Sequence, residues 1–367
     1  MLAGTALWPH LRSVSPFLAV CLLHIAGGWL LARATGLEDI HSLSGPDRLF
    51  GLSLLVALPI GLGVYFGHLG LVEREPRPLA RVVSDCAALR GSLPALVWGR
   101  LLPLLLVPYL LASFSSVKAM IPEIVPFYLD PALADLDRWL HLGIDPWRIT
   151  HALLPGAWAS MAINLVYVLW AFAVWGFLLW QIALAPDGPN RSRFLLSFAL
   201  CWLLLGSLGA ILLSSAGPCY FGQVAPGGDP FAPLMNMLYA QDAALKDIFP
   251  AFGLWSLGTQ ELLWRVHAGD ATMIGNGISA MPSMHVSMVV LMALAARRMS
   301  RRLGRIMTAF AVLTMIGSVH LGWHYALDGY VSGLATWGIW ALAGRIARRP
   351  PAPAETASPH GAGRQSA

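Results

Sequence analysis

Charge is scarce in this chain. Lys, Arg, Asp and Glu together make up 12% of its residues, and only two lysines occur, Lys118 and Lys246. A soluble domain carries roughly 25% charged residues because its surface must face water, so an ordinary soluble globular protein is excluded. Cysteine is sparse as well. Of Cys21, Cys86, Cys201 and Cys219, two fall inside apolar runs and two in connections expected on opposite sides of a membrane, which supports neither a disulfide framework nor a thiolate metal site. No internal repeat is visible. No basic segment interleaved with aromatics lies on a polar background, so the formal charge of +5 does not point to nucleic acid.

What is abundant is apolar sequence, at 57% of the chain with a mean hydropathy of +0.64. Several runs reach the roughly 18–20 residues needed to cross a bilayer. Eight spans are expected, near 15–35, 49–71, 95–116, 157–184, 194–215, 284–299, 304–322 and 325–346. Each must be helical, because a single span in lipid has to satisfy its own backbone hydrogen bonds. The fold class is therefore all-α integral membrane. Residues 1–94 hold two additional helices and a loop, residues 95–346 form a six-helix core, and 347–367, rich in Pro, Ala, Gly and Ser, form a disordered tail. A rival reading takes the first span as a cleaved signal, since Ala32-Arg33-Ala34 resembles a cleavage site.

The arginines orient the chain. With the N-terminus in the cytoplasm, the short inner loops receive Arg74, Arg77, Arg81 and Arg90, then Arg191 and Arg193, then the run from Arg297 to Arg305, and finally Arg345, Arg348 and Arg349. Cationic residues of the outer segments are scattered and mixed with acids. This bias places both termini in the cytoplasm of a cell (inner) membrane. Two outer segments, 117–156 and 216–283, are too long to be simple connections. The first contains an amphipathic stretch from Leu133 to Leu142, read as a helix lying in the interface.

Ionisable residues near membrane depth are functional candidates by default. Two clusters qualify, Met281-Pro282-Ser283-Met284-His285 and His320-Leu321-Gly322-Trp323-His324-Tyr325-Ala326-Leu327-Asp328. Both fall at the outer ends of their spans and can meet at one level. Pro282 suits the first turn of a helix, whose free N–H groups and dipole favour an anion. His285 would then stand one turn in, able to give a proton to a leaving oxygen. His324 and Asp328 are four apart and on a helix share a face. A carboxylate on one ring nitrogen leaves the other free to attack phosphorus. A zinc site built from His320, His324, Asp328 and His285 is the competing chemistry, although residues 320 and 328 sit about 80° apart on a helix. A non-enzymatic lipid transporter is a third reading.

Pro-Ser-x-His followed by His-x3-Asp, on consecutive outer helix ends, resembles the type 2 phosphatidic acid phosphatase superfamily. Within it, Ser215-Ala216-Gly217-Pro218-Cys219-Tyr220-Phe221-Gly222 resembles the Pro/aromatic motif of the inositol phosphorylceramide synthase (inositolphosphotransferase) branch. That resemblance implies His324 as nucleophile, Asp328 as its orienting partner and His285 as general acid. Pro282, Ser283 and nearby N–H groups would hold the phosphoryl oxygens, with Tyr220 beside them. It implies lipid substrates with phosphate headgroups, taken from the membrane, and no cofactor or metal. The chain departs from the phosphatase pattern in lacking the upstream Lys and Arg-Pro. Ser318 stands where those enzymes have an arginine six residues before the nucleophile, a feature shared with the synthase branch. Lys118 begins a Lys-x6-Val-Pro run but lies two spans too early for the family motif. The charge of a phosphate would fall to Lys118, Lys246 or Arg265, which share the outer side.

Overall fold

The computed structural model describes residues 3–43, 66, 69, 73–81, 83–84, 93–269 and 277–347. Every regular element among them is helical. Helix α1 is Ala3–Thr35. Helix α2, Leu102–Ile124, follows a π-helical turn at Val97–Leu101. Two short helices come next, α3 at Asp130–Leu140 and α4 at Pro146–Leu153. Helix α5 is Ala157–Ala183, and α6, Pro189–Cys201, continues through a π-helical stretch to Leu212. Helices α7, Ala232–Ile248, and α8, Trp255–His267, precede the closing trio: α9, Met284–Arg297, α10, Arg301–His320, and α11, Ala326–Ile346.

Five of these are long and apolar enough to cross a membrane: Ser13–Thr35, Val97–Ile124, Ala157–Ala183, Pro189–Leu212 and Arg301–His320. The chain is an integral membrane protein. The expected spans at 284–299 and 325–346 do form helices, but α9 has only 14 residues and α11 is diluted by Asp328, Ser332, Thr336 and several glycines. Their polar side chains meet between the two helices, where Ser287 Oγ lies 2.8 Å from Thr336 Oγ1. The expected span 49–71 and the tail after 347 lie outside the described residues. The third span runs two turns beyond its expected end, to Ile124, which carries Lys118 into a helix.

Helix α6 is the centre of the bundle. Its Phe194, Leu195, Leu196, Phe198, Ala199 and Cys201 are all buried, as expected for a helix apolar on every side, and they pack with Phe17 and Cys21 of α1 and with Met288, Leu291 and Met292 of α9. The long helices alternate in direction. α2, α6 and α10 end where α5, α9 and α11 begin, so Lys118, His285, His320 and His324 gather at one end. Arg100, Arg191, Arg193 and Arg297 gather at the other. Buried Arg191 gives its guanidinium protons to the carbonyls of Gln181, Ile182 and Gly99 and pairs with Asp187 at 3.2 Å. Cations are favourable on the C-terminal carbonyls of a helix such as α5.

Candidate active site

The turn between α10 and α11 decides where His324 points. Helix α10 ends because Gly322 adopts a left-handed φ of +73°, the conformation that closes many helix C-termini and that glycine takes without a Cβ clash. The backbone then folds back, and the N–H groups of Trp323 and His324 both donate to Ser318 O at 3.0 Å. Ser318, at the position of the phosphatases' arginine, is fully buried and serves as this anchor. Helix α11 begins after Tyr325, with Asp328 in its first turn. Asp328 Oδ2 accepts the Tyr325 N–H at 3.1 Å and lies 3.2 Å from His324 Nδ1. The His–Asp pair therefore does not arise from a shared helix face, as the spacing predicts. His324 stands just outside the helix, and a carboxylate at the third helical position reaches back to it, as such residues do in helix capping. Nδ1–H donation to Asp328 leaves Nε2 with a free lone pair, and Nε2 has no hydrogen-bond partner among the described residues.

His285 is held in a different way. Ser283 is the N-cap of α9, its Oγ accepting the Val286 N–H at 3.4 Å. Pro282 consequently lies before the helix, not in its first turn as the sequence suggests. Ser283 is fully buried and occupied as a cap. The N–H groups of Met284 and His285 have no partner among the described residues. The His285 ring stacks on Tyr167 at 4.7 Å, contacts Trp170 at 4.2 Å, and lies 6.1 Å from the His324 ring. Trp170 Nε1 donates to His285 O at 2.9 Å, so α5 sets both the ring and its backbone.

Both histidines line a cavity of about 410 Å³, bounded also by Lys118, Tyr220, Pro282, Ser279, Thr259 and an apolar side formed by Phe114, Val168, Trp202 and Leu263. Of the three cations expected to share this side, the structure brings in Lys118. Lys246 is exposed and pairs with Asp242 at 2.7 Å. Arg265 is exposed in the last turn of α8, on the side away from Thr259 and Leu263. Tyr220 lines the cavity, but its hydroxyl donates to Gln260 O at 2.8 Å; burial pushes its phenol above the ordinary range and keeps it neutral. Gly217 and Gly277 permit close approach at the wall. A Cβ on the first would meet Trp323 O at 2.7 Å and on the second Lys118 O at 2.8 Å, and both glycines hold positive φ.

His320 does not join His324. Its ring stacks on His151 of α4 at 3.6 Å, and its Nε2 lies 2.9 Å from Ser160 Oγ. Sequence reasoning missed Asp130 and Asp137. These acids lie on the inner face of α3, and their seven-residue spacing in an amphipathic stretch is the one signal that could have found them.

A family model described as the PAP2 superfamily matches residues 131–343. The chain belongs to that superfamily. Its members are phosphatases and phosphotransferases, so this protein is an enzyme of that type, and the matched stretch runs from α3 to α11, with both histidine clusters inside it and Lys118 outside. Comparison with curated proteins and with solved structures gives no match.

Proposed function

We propose that this PAP2 enzyme is a lipid phosphotransferase that passes a phosphoryl-headgroup between lipids through a phosphohistidine, as its resemblance to the inositol phosphorylceramide synthase branch implies. The observation that carries the reading is the His324–Asp328 pair at 3.2 Å facing His285 across one cavity, with ring centroids 6.1 Å apart. In the first step His324 Nε2 attacks phosphorus, the P–N bond forms, and the P–O bond to the donor lipid breaks. Protonated His285 gives its proton to the departing oxygen. Asp328 supports the imidazolium that develops on His324. In the second step an acceptor alcohol gives its proton to His285 and its oxygen attacks phosphorus, releasing His324. Lys118 and the free N–H groups of Met284 and His285 offset charge on the phosphoryl oxygens.

Transfer is favoured over hydrolysis by the apolar wall, where Phe114, Trp202 and Leu263 suit a lipid acceptor better than water, and by Ser318 in place of the phosphatases' arginine. The proposed core is 95–346, with α1 and the span expected from the sequence at 49–71 added in front. We place the site on the extracytoplasmic face of the cell (inner) membrane and both termini in the cytoplasm. The support is the run of arginines at the opposite end of the bundle. Purified protein incubated with labelled phospholipids, with and without alcohol acceptors, tests the reading. Acceptor-dependent transfer and a trapped phosphoenzyme that His324→Ala abolishes are expected. Release of free phosphate at the same rate with and without acceptor would make the protein a lipid phosphate phosphatase, and near-normal turnover in His324→Ala would remove the nucleophile.

A further inference from the structure

Helix α3 turns two carboxylates into the protein, Asp130, which is fully buried, and Asp137, which is 4% exposed. Seven residues apart, they lie on one face. Neither borders the cavity. Asp130 accepts the N–H groups of Ala216 and Gly217, each at 2.8 Å, and the Tyr325 hydroxyl at 2.9 Å. Asp137 accepts the N–H groups of Ala326 and Leu327 at 2.8 and 3.0 Å.

These contacts are specific in what they occupy. Ala326 and Leu327 are the first two residues of α11, whose N–H groups have no partner inside the helix. Such donors ordinarily attract an anion. Here Asp137 fills them, and Asp328 takes the N–H of Tyr325 just before them. The N-terminus of α11 is thus already neutralised by the protein's own carboxylates, while that of α9 keeps the donors of Met284 and His285 open. The backbone held by Asp137 begins two residues after His324, and the backbone held by Asp130 carries Ala216, which lines the cavity.

We infer that α3 is a positioning element with two separable tasks. Asp137 fixes the first turn of α11 and so aims His324, and Asp130 fixes the 216–217 wall against which the substrate rests. The inference rests on His324 being the nucleophile. Asp137→Asn keeps the volume but sets an amide N–H against backbone donors. It is expected to slow phosphoenzyme formation about tenfold, the scale of one lost charge-assisted bond, with KM within about twofold of wild type. Asp130→Asn is expected to raise KM about fivefold or more while the rate at saturating substrate stays within about threefold. Asp137→Glu, which keeps two acceptor oxygens, should recover part of the rate.

The measurements are quench-flow trapping of phosphohistidine, steady-state kcat and KM, and the unfolding temperature of each variant in detergent. Wild-type rates of phosphoenzyme formation in a stably folded Asp137→Asn protein would overturn the inference. So would a loss of rate that only tracks the fall in unfolding temperature and is unrelieved by Asp137→Glu, for that is a merely structural role. If Asp137→Asn does not fold, Asp137→Glu decides the matter, since its phosphoenzyme rate must fall below wild type at an unchanged unfolding temperature. If wild-type protein traps no phosphate on His324, the nucleophile reading falls, and the split between kcat and KM still scores the clamp.

Discussion

The two long connections at the site end share one apolar cluster and differ in their polar links. The first, α3 and α4, is joined to the site by polar groups. Asp137 binds the N–H groups that follow the histidine turn and Asp130 those of the 216–217 segment, and His151 Nε2 lies 2.9 Å from His320 O while its ring stacks on that of His320. The second, α7 and α8, packs on the bundle mainly through apolar side chains and reaches the cavity only with Ser256, Thr259 and Leu263 of α8. Leu234, Leu238 and Leu245 of α7, Leu254 before α8 and Leu257 within it are buried in one cluster with Phe231 and Val319, which Leu133, Ala134 and Trp147 of the first connection also join. The polar links of the second connection are few. Ser256 donates to Asn164 Oδ1 at 2.7 Å, and Gln260 Nε2 donates to Leu321 O at 2.9 Å. Polar contacts have direction and fix angles, whereas apolar contacts exclude water and tolerate small shifts. The first connection suits the aiming of a reactive group, and the second suits a more tolerant packing unit beside the cavity.

Substitutions can break this contrast. The largest effect on stability is expected in the apolar connection. Leu234→Ala should cost about 2–5 kcal/mol through lost burial and the cavity it leaves, while the protein that remains folded keeps kcat near wild type. Thermal unfolding in detergent beside activity per folded molecule checks this, and a collapse of kcat in fully folded protein would show that α7 also aims the site. Next comes Asp130→Ala, which leaves Ala216 N, Gly217 N and the Tyr325 hydroxyl without their acceptor. An unsatisfied buried group costs about 1–3 kcal/mol, and here the loss should appear in stability and in KM together.

Asp137 allows a test by pH. Burial raises its carboxyl to about 6, against the pull of the Ala326 and Leu327 N–H groups and of nearby His141. A carboxyl raised in the folded state stabilises the fold fully below its unfolded value near 4. That contribution is lost as pH rises through about 6, because ionising a buried acid then costs the native state. Unfolding temperature should therefore fall between about pH 4 and 6 in wild type, and Asp137→Asn should flatten that slope. An unchanged slope would assign the titration elsewhere. The smallest effect is expected for Ser256→Ala. It removes one neutral hydrogen bond, worth about 1 kcal/mol, with kcat and KM nearly unchanged. A large rise in KM would mean that Ser256, which lines the cavity, contributes to substrate binding beyond its bond to Asn164.

Much of this protein follows from sequence alone because a membrane restricts the choices. Scarce charge and long apolar runs force helices, and arginine clusters sort their ends, so the alternation of α2, α5, α6, α9, α10 and α11 was legible, as was the meeting of His285 with His324. The motif spacing also identified the superfamily. What could not be read is whatever depends on how separate segments touch. Lys118, Lys246 and Arg265 look equivalent as residues, and only the extra turns of α2 bring Lys118 to the cavity, while Asp242 holds Lys246 away. The spacing of His324 and Asp328 suggested one helix face, yet their contact comes from a helix start that Gly322 and Ser318 place between them. Asp130 and Asp137 read as ordinary acids of an amphipathic surface helix. Their role is tertiary because their partners, Ala216, Gly217, Ala326 and Leu327, are backbone N–H groups far along the chain, and a backbone donor has no signature in sequence.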